Sequence, residues 1–333
     1  MLTERLLKII RSFSERKLLI VGDSIADKFL YGSISRVSRE APVFILRHEM
    51  TETVPGGAAN CALNLAALGA NVSLISLAGK DEAGTALRDK LESAGVNVAG
   101  LILSEKVQTT TKVRILAGHA HANKQQVIRV DYEDAPLDDP ELRETVNTGL
   151  QSALDAADAV IISDYNYGLV DQKAIEAIRE TQRAKNVPVL VDSRFRLSDF
   201  SGFTAATPNQ DEVEHLIGAP IDSATKLEAA AESLKQKLGF KSLLVTRGRN
   251  GMMLLQDGEA PLHVPAVGAE QAVDGTGAGD TVIATFALAL ASGSSFSEAA
   301  HLANYAGGLV VMKRGTASIT AIELEQSIHD SKA

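Results

Sequence analysis

The sequence lacks the features that would place a chain in a membrane or an oxidising compartment. Its 333 residues include a single cysteine, Cys61, so an internal disulfide and a cysteine-rich metal site are both excluded. No apolar run reaches the roughly 18 residues that a membrane-spanning helix needs. Residues 1–11 interrupt their apolar positions with charge at helical spacing, unlike a signal peptide. We therefore expect a cytoplasmic location and no membrane partner.

Basic residues are fewer than acidic residues, 33 Lys and Arg against 42 Asp and Glu. The net charge of -9 argues against nucleic acid as the main partner, although a local basic patch can still bind an anionic small molecule. The chain has no internal repeat, low-complexity tract or Pro/Gly-rich linker, so we expect one domain over residues 1–333. It also lacks Gly-x-x-x-x-Gly-Lys-Ser/Thr, which argues against a P-loop NTPase.

Short apolar runs alternate with longer helical patterns along most of the chain. The runs predict buried strands at residues 18–21, 72–77, 160–162, 187–191 and 243–245. Helical patterns lie near residues 57–69, 82–94, 138–156, 171–184, 210–217, 223–238, 276–292 and 296–313. Repeated βα units of this kind predict an α/β fold, with a mostly parallel sheet between two layers of helices.

Two stretches, about 28–49 and 107–133, alternate like strands and have no helix between their strands. We interpret them as a small antiparallel sheet that projects from the main body with basic and polar faces. Such a sheet is suited to serve as a lid that keeps water from a transferred group. The alternative, to which we give equal weight, is that this sheet has a structural role at a dimer contact. Because its strand edges would otherwise be open, we expect a homodimer joined through the lid.

Residues 274–281 read Asp-Gly-Thr-Gly-Ala-Gly-Asp-Thr and lead into a run of helix formers. The glycines let backbone amides converge on one point, and the helix start adds partial positive charge. With Asp280 in the first turn, this is an anion hole beside a base, which suits phosphoryl transfer to a hydroxyl. Taken alone, the run is as well explained by a glycine-rich connection whose Asp caps the helix.

A second glycine-rich helix start, Gly56-Gly57-Ala-Ala-Asn60, allows a ligand to approach the backbone and offers it an amide side chain. By itself, such a start is more often a packing feature. Asp23 and Asp27 follow the first predicted strand, where open α/β sheets bind ligands, and either is suited to hold sugar hydroxyls. The alternative for each is a turn or helix cap.

Asn209 and Glu212 are spaced to lie on one helical face, as oxygen ligands for a hydrated Mg²⁺ should. The same spacing also fits a capping box, in which the two residues close the helix start. Thr246 and Gly248 end the next strand, where Gly248 would let a nucleotide pass over the backbone.

Taken in order, these motifs resemble those of the ribokinase-like (PfkB) carbohydrate kinases over nearly the whole chain. The resemblance implies a three-layer α/β/α fold with a β-sheet lid, ATP as the phosphoryl donor and Mg²⁺ as cofactor. It implies that Asp280 is the general base and that the amides of Gly277, Ala278 and Gly279 form the anion hole. It also implies that Gly56, Gly57 and Asn60 contact the sugar.

The same resemblance assigns the nucleotide side of the site. Asn209 and Glu212 would organise Mg²⁺ and phosphate, Thr246 and Gly248 would line the nucleotide site, and Asn304 would lie near adenine. Asp274, with the loop around Gly315, is similar to the monovalent-cation site of some members, which implies K⁺ as a further candidate cofactor.

Within the family, the sequence is most similar to the D-glycero-D-manno-heptose 7-phosphate kinases, which act on the anomeric O1. The similar stretches are 27–32, 35–43, 111–114 and 125–131. Candidate phosphate partners in this acidic protein are Arg36, Arg39, Lys112, Arg114, Arg129 and Arg194, of which Arg194 is also a candidate nucleotide contact. Some members of this group are bifunctional and carry an adenylyltransferase after the kinase.

Two positions depart from that group. Tyr167 stands in place of the lysine of Ser-Asp-Tyr-x-Lys-Gly, and residues 192–195 read Asp-Ser-Arg-Phe where Asp-Pro-Lys-Gly is usual. A kinase of a neutral sugar such as fructose or ribose is therefore the runner-up.

Two other classes of function remain to be weighed. A dinucleotide oxidoreductase is disfavoured because the glycines at 275, 277 and 279 have the wrong spacing for its fingerprint. A catalytically silent sugar-binding protein is disfavoured by the intact Asp280. His119 and His121 form a His-x-His pair without a third ligand nearby, so a solvated loop is the better interpretation than a metal site.

Overall fold

The structure is a computed structural model that describes residues 2–118, 124–268 and 272–330. The histidine pair at 119 and 121 lies outside the described residues. The helices are α1 Leu2–Arg11, α2 Ala58–Ala67, α3 Glu82–Ser93, α4 Pro140–Leu154, α5 Gln172–Lys185, α6 Gln210–Ile217, α7 Ala224–Leu238, α8 Ala278–Ala291, α9 Phe296–Val310 and α10 Ala321–Asp330. Within this part of the chain, no helix is both long enough and apolar enough to span a bilayer.

The strands form two sheets. They are β1 Lys17–Gly22, β2 Ser24–Val37, β3 Phe44–Gly57, β4 Asn71–Gly79, β5 Asn97–Ser104, β6 Thr111–Gly118, β7 Gln125–Tyr132, β8 Ala159–Asp164, β9 Val189–Ser193, β10 Ala205–Ala206, β11 Ser242–Thr246, β12 Met252–Gln256 and β13 Leu262–Val264. The large sheet has the order β13-β12-β11-β10-β9-β8-β1-β4-β5, and the small one β3-β2-β6-β7.

The large sheet is parallel from β11 to β5, and β12 and β13 extend it antiparallel at one edge. Both of its faces are covered. In β1, Leu18 and Ile20 belong to one apolar cluster whereas Leu19 and Val21 belong to the other, as the alternation of side chains across a strand requires. The predicted three-layer α/β/α architecture is confirmed, and the continuous apolar runs reflect strands buried on both sides.

Most helices begin at a side-chain cap, as with Asp81 before α3, Asp171 before α5 and Ser223 before α7. Helices α2 and α8 begin differently. Each follows a glycine with positive φ, Gly57 at 56° and Gly277 at 76°, and neither has a side-chain cap. Their first amides are therefore free of side-chain partners, and these two helix starts face the site described below.

The small sheet is the predicted lid, but it is not purely antiparallel. β2 pairs antiparallel with β3 and β6 with β7, whereas β2 and β6 run parallel. The reason is topological, because α2, β4, α3 and β5 intervene between β3 and β6 and carry the chain back to the same end. The lid also exposes apolar as well as basic side chains, namely Val37, Val43, Phe44, Met50, Val127, Ile128, Val130 and Tyr132.

The eight predicted helical segments all form helices, at 58–67, 82–93, 140–154, 172–185, 210–217, 224–238, 278–291 and 296–310. The five predicted strands are also present, as β1, β4, β8, β9 and β11. The sequence patterns did not predict α10 or the strands β5, β10, β12 and β13. The organisation of residues 1–333 as one domain stays a prediction.

Candidate active site

Two adjoining cavities lie at the carboxyl ends of the parallel strands, beneath the lid. The first, about 560 Å³, is the acceptor cavity; it is bounded by lid residues and by the start of α8. The second, about 330 Å³, is the donor cavity; it is bounded by the ends of β9 and β11 and the start of α6. Their shared walls are Tyr165, Arg194, Gly275, Gly277 and Gly279. Open α/β sheets bind ligands at this edge.

Asp280 lies in the first turn of α8 and is 5% exposed, with its carboxylate in the wall of the acceptor cavity. Its Oδ2 accepts a hydrogen bond from Asn60 Nδ2 at 2.7 Å, and its Oδ1 accepts one from Tyr165 Oη at 3.2 Å. Burial raises the pKa of Asp280 to about 7, and the charge of Asp27 adds to the rise, although both hydrogen bonds oppose it. A carboxylate with this pKa is suited to accept a proton near neutral pH.

A chain of hydrogen bonds holds Asp280 from behind. Thr281 Oγ1 donates to Asn64 Oδ1 at 2.8 Å, and Asn64 Nδ2 donates in turn to Asn60 Oδ1 at 3.2 Å. Asn60 is 1% exposed, so it orients Asp280 and is not itself part of the cavity wall. Asn60 thus contacts Asp280 directly, and its contact with the sugar stays a prediction.

The glycines at the start of α8 differ in whether the protein has room for a side chain at their position. A Cβ on Gly277 would meet Asn60 Nδ2 at 2.5 Å, and its φ of 76° disfavours any side chain, so this glycine is required by the protein itself. A Cβ on Gly275 or Gly279 would have nothing within 4 Å, and both glycines face the two cavities. That open space lies next to the start of α8, which has no side-chain cap, and it fits a phosphate.

Asp27 and Arg114 form an ion pair across neighbouring lid strands in the acceptor cavity. Burial nevertheless raises the pKa of Asp27, because the attraction of Arg114 offsets only part of the desolvation. Gly56 allows this arrangement, since a Cβ there would lie 2.5 Å from Asp27 Oδ2. Gly57 lines the cavity directly. Asp27 and Gly57 are therefore placed to contact an acceptor, and Gly56 makes room for Asp27.

Asp23 does not lie in the wall of the acceptor cavity. Its Oδ2 accepts hydrogen bonds from the backbone N–H groups of Tyr165 at 2.8 Å and Tyr167 at 3.1 Å. Burial raises the pKa of Asp23 to about 6, and the charge of Asp164 contributes to the rise. Asp23 thus shapes the loop that carries Tyr165, which is closer to the turn alternative than to a sugar contact.

The donor cavity contains Asn209, Glu212 and Thr246, as expected for the nucleotide side. Asn209 and Glu212 form a complete capping box, in which Asn209 Oδ1 accepts from Glu212 N at 2.8 Å and Glu212 Oε2 accepts from Asn209 N at 2.9 Å. The capping alternative is therefore realised, although both side chains still face the cavity. Within the described residues, no cluster of three or more His, Cys, Asp or Glu is arranged as a metal site.

The chemistry of the donor cavity nevertheless fits a hydrated divalent cation. Burial, together with the charges of Glu212, Asp280 and Asp164, raises the pKa of Asp192 well above its usual range. Thr207 Oγ1 is buried there without a hydrogen-bond partner in the part of the chain that the structure describes. Carboxylates and an unsatisfied hydroxyl around open space are groups that water ligands of Mg²⁺ would satisfy.

Asp274 lies at the start of the glycine loop, in the acceptor cavity. Its carboxylate accepts hydrogen bonds from Thr276 N and Gly315 N, both at 2.9 Å. Burial alone would raise the pKa of Asp274, but these bonds outweigh it and hold the pKa below its usual value. A hydrogen bond thus joins Asp274 to the Gly315 loop, and their role as a monovalent-cation site stays a prediction.

Three further predicted site residues lie outside both cavities. Arg36 is exposed on β2, nine residues beyond Asp27 and hence about 30 Å further along the strand. Gly248 begins a short 3₁₀ helix with a φ of 52°, and Asn304 Nδ2 donates to Pro265 O at 2.8 Å. Within one chain, Arg36 is too distant to contact the acceptor, because strand length separates it from the site.

Tyr165 is the main site residue that the sequence patterns did not reveal. In the segment 163–168 the sequence patterns single out only Tyr167, yet Tyr165 directly follows β8 at the carboxyl edge of the sheet. That position was the available signal, since strand ends at this edge converge on the ligand. The arrangement as a whole places a buried carboxylate with a raised pKa beside glycine-lined open space and two adjoining cavities, a geometry compatible with transfer of a phosphoryl group to a hydroxyl.

Comparison with known proteins agrees with this geometry. Residues 17–322 match the pfkB family of carbohydrate kinases. The chain is 42% identical over 322 residues to the Bifunctional protein HldE of Nitrosococcus oceani, a match that covers 95% of this chain and 65% of the relative. The protein of the same name from Hahella chejuensis is 40% identical, with 96% and 65% covered. The chain thus spans about two thirds of the length of these curated relatives.

Solved structures give the same fold at lower identity. Phosphofructokinase-2 from Escherichia coli, in complex with substrates and products, has a TM-score of 0.78 and 20% identity, covering 96% of this chain and all of that one. Arabidopsis thaliana ribokinase, complexed with ribose and ATP, has a TM-score of 0.73 and 21% identity, with 94% and 98% covered. These likenesses confirm the ribokinase-like fold.

Proposed function

Since the chain belongs to the pfkB family of carbohydrate kinases and is a phosphotransferase acting on a sugar, we propose that its acceptor is D-glycero-D-manno-heptose 7-phosphate, phosphorylated at O1 by ATP. The observation that carries the catalytic part of the proposal is the position of Asp280. Its carboxylate lies in the acceptor cavity, one helical turn from the glycines that this cavity shares with the donor cavity.

The proposed reaction is a direct in-line transfer. The acceptor hydroxyl oxygen attacks the γ-phosphorus of ATP as Asp280 takes the hydroxyl proton, and the bond from that phosphorus to the bridging oxygen breaks to release ADP. The amides of Gly277, Ala278 and Gly279 would stabilise the charge that develops on the transferred group, although Ala278 N also donates to Gly275 O at 3.3 Å. Asn60 and Tyr165 hold the carboxylate in position during proton transfer.

Mg²⁺ would neutralise part of the phosphate charge in the donor cavity. We assign Asn209 and Glu212 to it through water ligands, since direct coordination would compete with their capping bonds. K⁺ is the further cofactor proposed, near Asp274 and Gly315; potassium is present in a solved structure of Escherichia coli phosphofructokinase-2.

Two observations favour a heptose phosphate over a neutral sugar. Four cationic side chains face the acceptor side of the site, Lys112, Arg114, Arg129 and Arg194. The curated relatives are named bifunctional proteins, in agreement with the resemblance to heptose 7-phosphate kinases, some of which are bifunctional. A kinase of a neutral sugar such as fructose or ribose is the alternative, and a silent sugar-binding protein is the non-kinase alternative.

We also propose a homodimer that forms through the lid. Every residue of β7 is exposed, and apolar side chains such as Phe44 and Ile128 are 58% and 53% exposed. A sheet face and edge of this kind favours burial against a second copy. A cytoplasmic location stays a prediction from the sequence.

The decisive experiment is a panel of acceptors at matched concentrations, with ADP release as the readout. We expect kcat/KM to be highest for heptose 7-phosphate, and lower for fructose 6-phosphate, fructose and ribose. If a neutral sugar exceeds every sugar phosphate, the heptose proposal is wrong and the kinase assignment stands. If no sugar supports ADP formation, the silent sugar-binding protein is favoured.

A further inference from the structure

One aromatic side chain at the base of the lid is buried close to the acceptor cavity. Phe29 is 4% exposed, and beyond it only Gly32 is buried in β2. The ring lies beside Arg114 of β6, whose guanidinium carbon is 5.4 Å from the ring centre. Arg114 also pairs with Asp27, so Phe29 packs against a residue of the acceptor cavity without lining that cavity itself.

The far edge of the Phe29 ring faces a loop of the main body. This loop, residues 313–318, contains Gly315 and is called the Gly315 loop. A Cβ added to Gly315 would lie 3.8 Å from Phe29 Cζ and 3.9 Å from Phe29 Cε2, which are contact distances. Gly315 has a φ of 68°, so the loop turns at the point that the ring faces.

The Gly315 loop is joined in turn to the glycine loop, residues 274–279, by two contacts. The carboxylate of Asp274 bridges the loops, since its Oδ2 accepts from Gly315 N and its Oδ1 from Thr276 N, both at 2.9 Å. Thr316 lies against the second contact, because a Cβ on Gly277 would be 3.3 Å from Thr316 Cγ2. Gly277 directly precedes α8, so a shift of the Gly315 loop would change the direction of the first amides of that helix.

Other supports of the Gly315 loop come from residues close to it in sequence. Lys313 Nζ donates to Ser318 O at 2.8 Å and to Glu323 Oε1 at 2.6 Å, and Ala317 N donates to Gly315 O at 3.0 Å. These bonds hold the loop to itself and to α10. Phe29 adds a support from the lid, whose strands also carry residues of the acceptor cavity.

We propose that Phe29 is a positioning residue for phosphoryl transfer, which fixes the Gly315 loop and, through it, the amides at the start of α8. The inference rests on the proposed function, in which those amides stabilise the transferred group. Phe29 lines neither the acceptor cavity nor the donor cavity, so it acts on the rate of transfer and not on the binding of either substrate. The base of the lid thereby supports the anion hole as well as covering the acceptor.

The kinetic test compares Phe29→Leu and Phe29→Met with the unchanged protein, on the acceptor of the panel that has the highest kcat/KM. Leucine lacks the two ring atoms that face Gly315, so kcat should fall about 10- to 100-fold, the effect of a displacement of roughly 1 Å at reacting groups. KM for ATP and for the acceptor should stay within about twofold. Methionine is unbranched and fills irregular space, so Phe29→Met should keep kcat within about threefold.

Phe203→Leu is the matched control. Phe203 is also buried, 0% exposed, with the guanidinium carbon of Arg179 5.4 Å from its ring centre. It precedes β10 at the amino ends of the parallel strands, away from the site, so kcat should stay within about twofold. If Phe29→Leu raises KM for the acceptor and leaves kcat unchanged, Phe29 acts by supporting Arg114 and the inference is wrong.

Hydrogen exchange measured by mass spectrometry, without substrates, separates this inference from the proposed function. In Phe29→Leu, the amides of residues 274–280 and 313–318 should exchange about 10-fold faster, because their loops lose a support. In Phe203→Leu, the same segments should exchange as in the unchanged protein. This result would support the inference even if the unchanged protein formed no ADP with any sugar, which would defeat the proposed function. Unaltered exchange of both segments in Phe29→Leu would overturn the inference whatever the turnover.

Discussion

The edge of the main sheet and the outer part of the lid differ in how far their side chains are buried. At the sheet edge, Asp23, Asp164 and Asp280 are at most 5% exposed, and each accepts hydrogen bonds from the protein. In β7 of the lid, all eight residues are exposed. The sheet edge is thus complete in one chain, whereas the lid has surface left for a ligand or a second copy. We therefore expect the chemistry to take place in the first region, and selectivity and assembly to depend on the second.

The largest expected effect comes from removing the charge of the base at the sheet edge. Asp280→Asn keeps the shape of the side chain but cannot accept the hydroxyl proton, so kcat should fall by about 10² to 10⁴ in an ADP-release assay. The affinity for ATP, measured by calorimetry, should stay within about twofold, since the amides of the anion hole are unchanged. Near-normal turnover would show that the chemistry does not depend on this edge.

The next effect tests whether the lid is an assembly surface. Phe44→Glu and Ile128→Glu would each bury a charge in the proposed dimer, so we expect dimer dissociation constants to rise about 100-fold by sedimentation equilibrium. Ile322→Glu is the matched control, because Ile322 is 79% exposed on α10. An unchanged protein that is monomeric at micromolar concentration would contradict the proposal.

A smaller effect is expected at the start of α6. Glu212→Gln can still accept the hydrogen bond from Asn209 N, so stability should hold, but the loss of charge should raise the Mg²⁺ concentration for half-maximal activity about tenfold. Glu298→Gln alters the equivalent capping box of α9 and serves as the control. If a magnesium titration does not separate these variants, Glu212 has a capping role alone.

The smallest effect concerns Tyr165. In the proposed mechanism the carboxylate form of Asp280 is the base, so kcat/KM should be full above its pKa of about 7 and fall as the pH drops below it. Tyr165→Phe removes a hydrogen bond that lowers this pKa, so the acidic limb should move upward by about half a pH unit. Tyr167→Phe, which loses its bond to Glu133, should not move the limb. If the acidic limb of the pH profile does not move in Tyr165→Phe, Tyr165 does not position Asp280.

The main sheet could be predicted from the sequence more fully than the lid. Most of the helices and most of the parallel strands were predictable because apolar periodicity records burial, and the sheet edge could be located because glycine motifs follow its strands. The parallel pairing of β2 with β6 could not be predicted from either strand, since it depends on the long connection between them.

The positions of individual side chains in the site were less predictable than the helices and strands that carry them. Asn60 and Asp27 were both candidates for sugar contacts, yet only the structure distinguishes the one behind Asp280 from the one in the cavity wall. Lys112 and Arg36 have similar sequence settings on lid strands. Their difference lies in the distance from Asp280 and in burial, which sequence spacing does not record.

The two long strands of the lid have a consequence for protein engineering. β2 begins at Ser24, directly after Asp23, and β3 ends at Gly57, directly before α2, so the lid has no hinge segment of its own at this base. Excising or exchanging the lid there would remove Asp27 and Gly57 with it. A chimaera that exchanges only the distal lid surface therefore needs two joints within the lid, one in β2 beyond Asp27 and one in β3 before Gly57, so that the residues of the acceptor cavity are preserved.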